Sequence, residues 1–198
     1  MRLTIFTLLS IIGSTSFGQI NNYQNLLDSA LSGHGSLFVH SKPLKVTRLD
    51  PKEIRYYFEN IMDYSSRKLD TIMFLQIIQN SKFADTTPWT DNEFPSSLLV
   101  NERDETVSKK YAFRKLGLTD DKKIKFYKKQ INKFNSTPTV DRNLSYFSRP
   151  IFDNSKTFAI IQWDNGHGNL GGGGGIILYQ LQGDTTWKEF GIVLNWRY

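Results

Sequence analysis

Apolar residues recur along this chain first at helical and then at strand spacing, and the period changes near residue 150. From Asn21 to Leu31, the residues Tyr23, Leu26, Leu27 and Ala30 keep the three-and-four spacing of one helix face, and Gly33-His34-Gly35 ends it. Ser36 to His40 and Leu44 to Val46 are short enough for strands, with Lys42-Pro43 between them. Asp50, Pro51 and Glu53 form a helix start of the capping-box type, followed by the stripe Ile54, Tyr57, Phe58 and Ile61. Leu69 to Asn80 suits a helix with Ile72, Leu75 and Ile78 as its apolar face, although its Ile and Phe content also suits a strand. Thr86 to Pro95 predicts an irregular loop pinned by Trp89, with Thr90 capping a short turn. Thr106 to Leu116 is expected to be helical. The clearest helix is Thr119 to Phe134, capped by Thr119, with Ile124, Tyr127, Ile131 and Phe134 on one face.

Beyond residue 150 the pattern alternates. Ala159, Ile161 and Trp163 fall on one side of a strand, Phe158 and Ile160 on the other. Ile176 to Leu181 behaves similarly, and Phe190, Ile192, Leu194, Trp196 and Tyr198 alternate with mostly polar neighbours. Gly183-Asp184 supplies a hairpin turn between the last two strands. The expected class is α+β: a C-terminal three-stranded antiparallel meander covered by N-terminal helices.

The N-terminus adds a destination. Met1-Arg2 is basic, Leu3 to Ile12 is uncharged and apolar, and Ser16 and Gly18 place small residues before Gln19. This is the pattern of a secretory signal peptide, residues 1–18, cleaved before a single α+β domain of residues 19–198. The apolar run is about half of the roughly 20 residues a membrane-spanning helix needs, so no transmembrane segment is expected. With no cysteine in the chain, neither a lipid anchor nor a disulfide is available, and stability has to come from an ordinary core. The mature protein is expected to be secreted or periplasmic.

Losing Arg2 leaves 24 basic and 19 acidic residues, a moderately basic balance that suits solubility and also suits anionic partners. Ten of the basic residues crowd between Lys109 and Lys133, opposed there only by Asp120 and Asp121. Such a face either keeps a helix in water or docks on a phosphate backbone or an anionic membrane. Lysine predominates, so bidentate phosphate recognition by arginine is not signalled.

Seven of the ten residues from Gly166 to Gly175 are glycine. A phosphate loop would lead into a helix and carry Lys-Ser/Thr, whereas Ile176 begins a strand, so the run is expected to be a loop between strands. Trp163 and Trp187 beside it, with Asp164 and His167, make a candidate recognition edge. Asp164 and His167, with Asp153 nearby, also supply the acid–base pair that a hydrolase acting on an envelope or nucleic-acid polymer needs. No G-x-S-x-G elbow and no H-E-x-x-H occurs, and no catalytic residue, metal site or cofactor is assigned.

Ser148-Arg149-Pro150-Ile151-Phe152, the strand at Ala159-Ile160-Ile161, the glycine run, Leu178-Tyr179, and Trp187 and Trp196 resemble a group of exported bacterial proteins of Bacteroidota type. Their pattern reads S-x-P-x-F, a strand, C-G-x-L-C-G-x-G, then L-Y and W. The resemblance covers about the last quarter of the chain and implies export and a C-terminal meander. It implies no activity, since none is assigned to the group. The two cysteines of the pattern fall near His167 and Leu170, so no thiol role carries over. Two functions stay open: a non-catalytic binding or interaction module for an anionic polymer or a protein partner, and the hydrolase.

Overall fold

The computed structural model describes residues 23–34, 37–62, 69–101, 106–166, 171–183 and 185–198. The signal peptide, His167 and Asp184 lie outside the described residues. Helix α1 (23–34) is followed by strand β1 (Phe38–His40), a 3-10 turn (Pro51–Glu53) running into α2 (Ile54–Met62), and α3 (Thr71–Ser81). Then come β2 (Leu98–Val100), α4 (Lys109–Lys115), α5 (Asp121–Ser136) and a second 3-10 turn (Thr139–Asp141). Five strands close the chain: β3 (Leu144–Phe147), β4 (Ile151–Phe152), β5 (Phe158–Gly166), β6 (Gly172–Gln182) and β7 (Thr186–Arg197).

Polar side chains start the helices, at the expected residue for α2 and one residue later for α5. Asp50 accepts the Lys52 amide at 2.9 Å, so the capping works through the second helical position, with Pro51 filling the first. Asp70 accepts the Ile72 amide at 2.8 Å to start α3. Asp120, and not Thr119, caps α5 by accepting the Lys123 amide at 2.8 Å. The expected face of α3 needs correction. Met73, Phe74, Ile77 and Ile78 are buried, whereas Ile72 is 66% and Leu75 40% exposed. Both sets have helical spacing, and the sheet selects the one with the larger contiguous apolar surface.

The α+β class stands, but the sheet is not a three-stranded antiparallel meander. Among the described residues it has seven strands, in the order β2-β1-β3-β5-β6-β7, with β4 beside β5. Strand β1 pairs parallel with both β2 and β3, and the remaining pairs are antiparallel. Strands β5, β6 and β7 succeed one another at one end of this mixed sheet. The missed strands are two to four residues long, too short for a period of two to show. Strands β3 and β4 both line β5, split by Ser148-Arg149-Pro150, because proline cannot donate to a ladder.

Three packed clusters fill the molecule. Leu26, Leu27 and Ala30 of α1, with Trp89 and Phe94, cover one face through Ile161, Ile177 and Trp187. Tyr57 and Ile61 of α2, with Phe74 and Ile77 of α3, cover the other through Ile160, Ile176 and Leu178. Ile131 and Phe134 of α5 and Ala112 of α4 pack on Phe38, Leu98 and Val100 at the β2 end. Gly183, at φ 63°, makes the expected β6–β7 turn. The β6–β7 register shifts between Ile176 and Ile177 and again between Leu178 and Tyr179. Side chains of α1 and α2 reach β7 and its turn: Asn25 Nδ2 donates to the Thr185 carbonyl, Ser29 Oγ to Trp187 and Asn60 Nδ2 to Val193, at 2.9–3.1 Å.

Candidate functional site

Of the glycine run, residues 167–170 lie outside the described residues, and most of the described glycines are in strands. Gly166 belongs to β5 and Gly172 to Gly175 belong to β6, hydrogen-bonded between β5 and β7. Trp163 lies opposite Gly175 and Trp196 opposite Gly174. A Cβ on Gly174 would sit 2.6 Å from both the Trp163 carbonyl oxygen and the Trp196 ring, and one on Gly172 2.4 Å from the Asn165 carbonyl. Glycine therefore stands here because neighbouring backbone and indoles occupy the space of a side chain. Gly171, at φ 92°, also needs its backbone freedom.

Of the expected recognition edge, His167 lies outside the described residues, and Trp163 and Asp164 face opposite sides of the sheet. Trp163 points to the α1 side and stacks on His34 at 4.4 Å. Burial lowers the His34 pKa, partly opposed by Glu189. Asp164, the next residue, points to the opposite face and accepts the Tyr198 hydroxyl at 2.7 Å. There Trp196 Nε1 donates to the Tyr198 oxygen at 3.1 Å and the Arg48 guanidinium lies 4.1 Å over the indole. Trp187 is a core residue, edge-on to Phe152 at 5.8 Å. Asp153 sits at the far end of β5, where it accepts the Phe158 amide at 2.9 Å and the Ser155 hydroxyl to close the β4–β5 turn.

A charged cluster that sequence reasoning missed surrounds Arg149. Its guanidinium donates to Glu93 Oε1 at 2.5 Å, the Tyr23 hydroxyl at 2.9 Å and the Thr87 carbonyl at 3.1 Å. It also pairs with Asp85 at 3.3 Å and lies 4.4 Å over Trp89. Burial pushes Glu93 upward, but hydrogen bonds from Arg149 and Thr90 outweigh it and hold the carboxyl below its usual range. Burial raises Tyr23 to about 12. The carboxylates are already engaged, so the cluster ties α1, the 84–97 loop and the β3–β4 connection together and offers no open acid–base pair. Arg149 stands within the S-x-P-x-F stretch, which was the only signal for it.

The third feature is α5. Its inner face carries Ile131 and Phe134, so the opposite side faces water. On that side Lys122, Lys125, Lys129 and Lys133 are all exposed and line up over about 16 Å of helix. No acidic residue occurs from Lys122 to Ser136. Lys125, Lys129 and Lys133 follow at intervals of four, a like-charge spacing that costs a helix about 0.2–0.5 kcal/mol per pair. An ordinary solvated face avoids that by interleaving acids. Lys109, Lys110 and Arg114 of α4 are exposed nearby, while Lys115, its side chain only 6% exposed, is held by Asp91 at 2.5 Å. Residues 109–133 hold ten bases and two acids, against 25 and 19 in the whole chain, so the rest is net acidic by two. The entire positive excess is therefore carried by this one region.

A cavity of about 570 Å³ opens beside α5, between its first half, α1 and the loop before β2. Among the described residues, no group of three or more His, Asp or Glu side chains is placed to hold a metal ion. No family model, no curated protein and no solved structure matches the chain.

Proposed function

We propose that the chain is exported, with residues 1–18 removed as a signal peptide, and that it is a non-catalytic binding module for an anionic polymer. The observation that carries this reading is the line of four exposed lysines along the outward face of α5, with no acid among them, on a chain otherwise net acidic. A line of point charges releases counterions from a polyanion without demanding one phosphate or carboxylate geometry. The core behind α5 is already filled by its own apolar face, so the helix docks by charge and does not insert into a bilayer. No helix among the described residues is long and apolar enough to cross a membrane. The hydrolase alternative gains no support: Asp164 is engaged by Tyr198, and Asp153 holds a turn at the other end of β5.

The test is binding of residues 19–198 to a labelled polyanion across a salt series. With four charges engaged, the log–log salt slope is expected near about −3. The variant carrying Lys122→Gln, Lys125→Gln, Lys129→Gln and Lys133→Gln loses most of both affinity and slope. Equal binding by that variant, or no binding by the parent protein, would sink the proposal.

A further inference from the structure

The cavity beside α5 has a lining that narrows the ligand class, an inference that rests on the polyanion reading above. Its helical wall is Phe126, Tyr127 and Gln130; facing them are Asp28 and Ser32 of α1 and Ser96 of the loop before β2. Phe126 is 57% exposed and lies nearly perpendicular to the Tyr127 ring at 5.4 Å, so much of its ring is open to a ligand. The volume falls within the roughly 300–1,000 Å³ of small-ligand sites. Lys123 precedes Phe126 and Tyr127 by three and four positions, and Lys133 follows Gln130 by three. At helical spacing these lysines flank the cavity wall at either end, about 15 Å apart.

We infer that this cavity seats a sugar ring of an acidic polysaccharide, whose carboxylates or sulfates on neighbouring units run along the lysines of α5. The hydroxyls of Ser32 and Ser96, the Gln130 amide and the Asp28 carboxylate are hydrogen-bonding groups suited to a polyol. Ser32 Oγ already donates to the Ser29 carbonyl at 2.8 Å, which leaves the oxygen to accept. Asp28 Oδ1 takes Gln24 Nε2 at 3.0 Å, and the carboxylate keeps further acceptor capacity. The Asp28 carboxylate can accept from sugar hydroxyls, so the ring seated there presents its hydroxyls to Asp28 and its acidic group toward the lysines. The ring of Phe126 packs on the apolar C–H face of a sugar.

The experiment compares three probes on residues 19–198: an oligouronate, the same oligosaccharide with its carboxyls reduced, and a single-stranded oligonucleotide of matched charge. The oligouronate is expected to bind best. Phe126→Ala combined with Gln130→Ala weakens it about tenfold with the salt slope unchanged, since the loss is of ring packing and not of charge. Both residues lie outside the core clusters, and an unchanged circular dichroism spectrum verifies folding. Undiminished oligouronate binding by the double variant overturns the cavity assignment while leaving the lysine reading intact. Tighter, Phe126-dependent binding of the oligonucleotide overturns the sugar in favour of base stacking. Failure of all three probes to bind removes both readings together.

Discussion

Gly174→Ala puts the account of the glycine strand at risk. The new Cβ would lie 2.6 Å from the Trp163 carbonyl oxygen and from Cε2 and Cζ2 of Trp196, against the roughly 3.5–4.0 Å of a relaxed contact. Neither neighbour yields easily. The first is backbone inside the β5 ladder, and the second is an indole held by Tyr198 and covered by Arg48. Overpacking of this kind costs about 1–3 kcal/mol. Restricting the unfolded chain returns about 0.4–1 kcal/mol, because Gly174 has no positive φ to make alanine strained. The net expectation is a loss of about 1–2 kcal/mol, or a midpoint roughly 2–8 °C lower for a protein of this size. Urea unfolding followed by tryptophan fluorescence measures it, with Trp163 and Trp196 beside the change. Gly33→Ala is the control: it lies in the last turn of α1 with nothing within 4 Å of its added Cβ, and it should not lose stability. A Gly174→Ala protein as stable as the parent would refute the claim that space, and not chain flexibility, selects glycine there.

Arg149→Met strands Glu93, only 18% exposed, without its cation and should cost on the order of 3 kcal/mol in the same assay. Adding Glu93→Gln should recover part of that, because the two residues share one interaction. The acid limb of stability follows from Glu93, whose folded pKa is lowered: its contribution is present above the ordinary 4.5 and disappears as pH falls through the folded value. Glu93→Gln flattens that limb in a denaturation series against pH. At the alkaline end Tyr23 ionises at 10 when unfolded and about 12 when folded, so stability falls as pH rises between them. Tyr23→Phe removes that share, leaving those of Tyr57, Tyr111, Tyr179 and Tyr198, which are also pushed up.

Elements whose signal is local were legible in the sequence. The start of α2 and the body of α5 each rest on side chains within a turn or two, whereas the alternation expected of β7 is broken by a register shift that buries Val193 and leaves Tyr198 67% exposed. The short turn at Thr90 was legible too, but Thr90 does not cap it as an acceptor: Glu93 Oε2 accepts both the Thr90 amide and hydroxyl at 2.8 Å. What escaped depends on partners far along the chain. Strand β1 lies within the Ser36–His40 segment the sequence offers, but three-residue β2 did not show, and pairing Phe38 with Leu98 crosses sixty positions. The outward turn of Ile72 and Leu75 is decided by which side of α3 meets the sheet. Glycine composition argues locally for a loop, and only Trp163 and Trp196, one strand away on either side, show why it is strand. Of the candidate site, the lysine crowding was visible, but its alignment on one face became decisive only once the core side of α5 was known. Trp163, Asp164 and Trp187 are near in sequence or in the sheet, yet alternation sends the first two to opposite faces.

The outer side of β7 has a consequence for how copies of this protein behave together. A twelve-residue strand ending a sheet is a template on which another chain can add itself by backbone hydrogen bonds. Here Ser29 and Asn60 occupy carbonyls of that strand and Asn25 one in its turn, and two register shifts break its regularity. The helices that fill the core thus also act as gatekeepers against strand-by-strand polymerisation. A chain bearing a dense line of lysines, gathered along a polyanion at high local concentration, would be driven toward that very failure. Crowding on a polymeric ligand is tolerable for this fold because its longest open strand has already been made a poor acceptor of further strands.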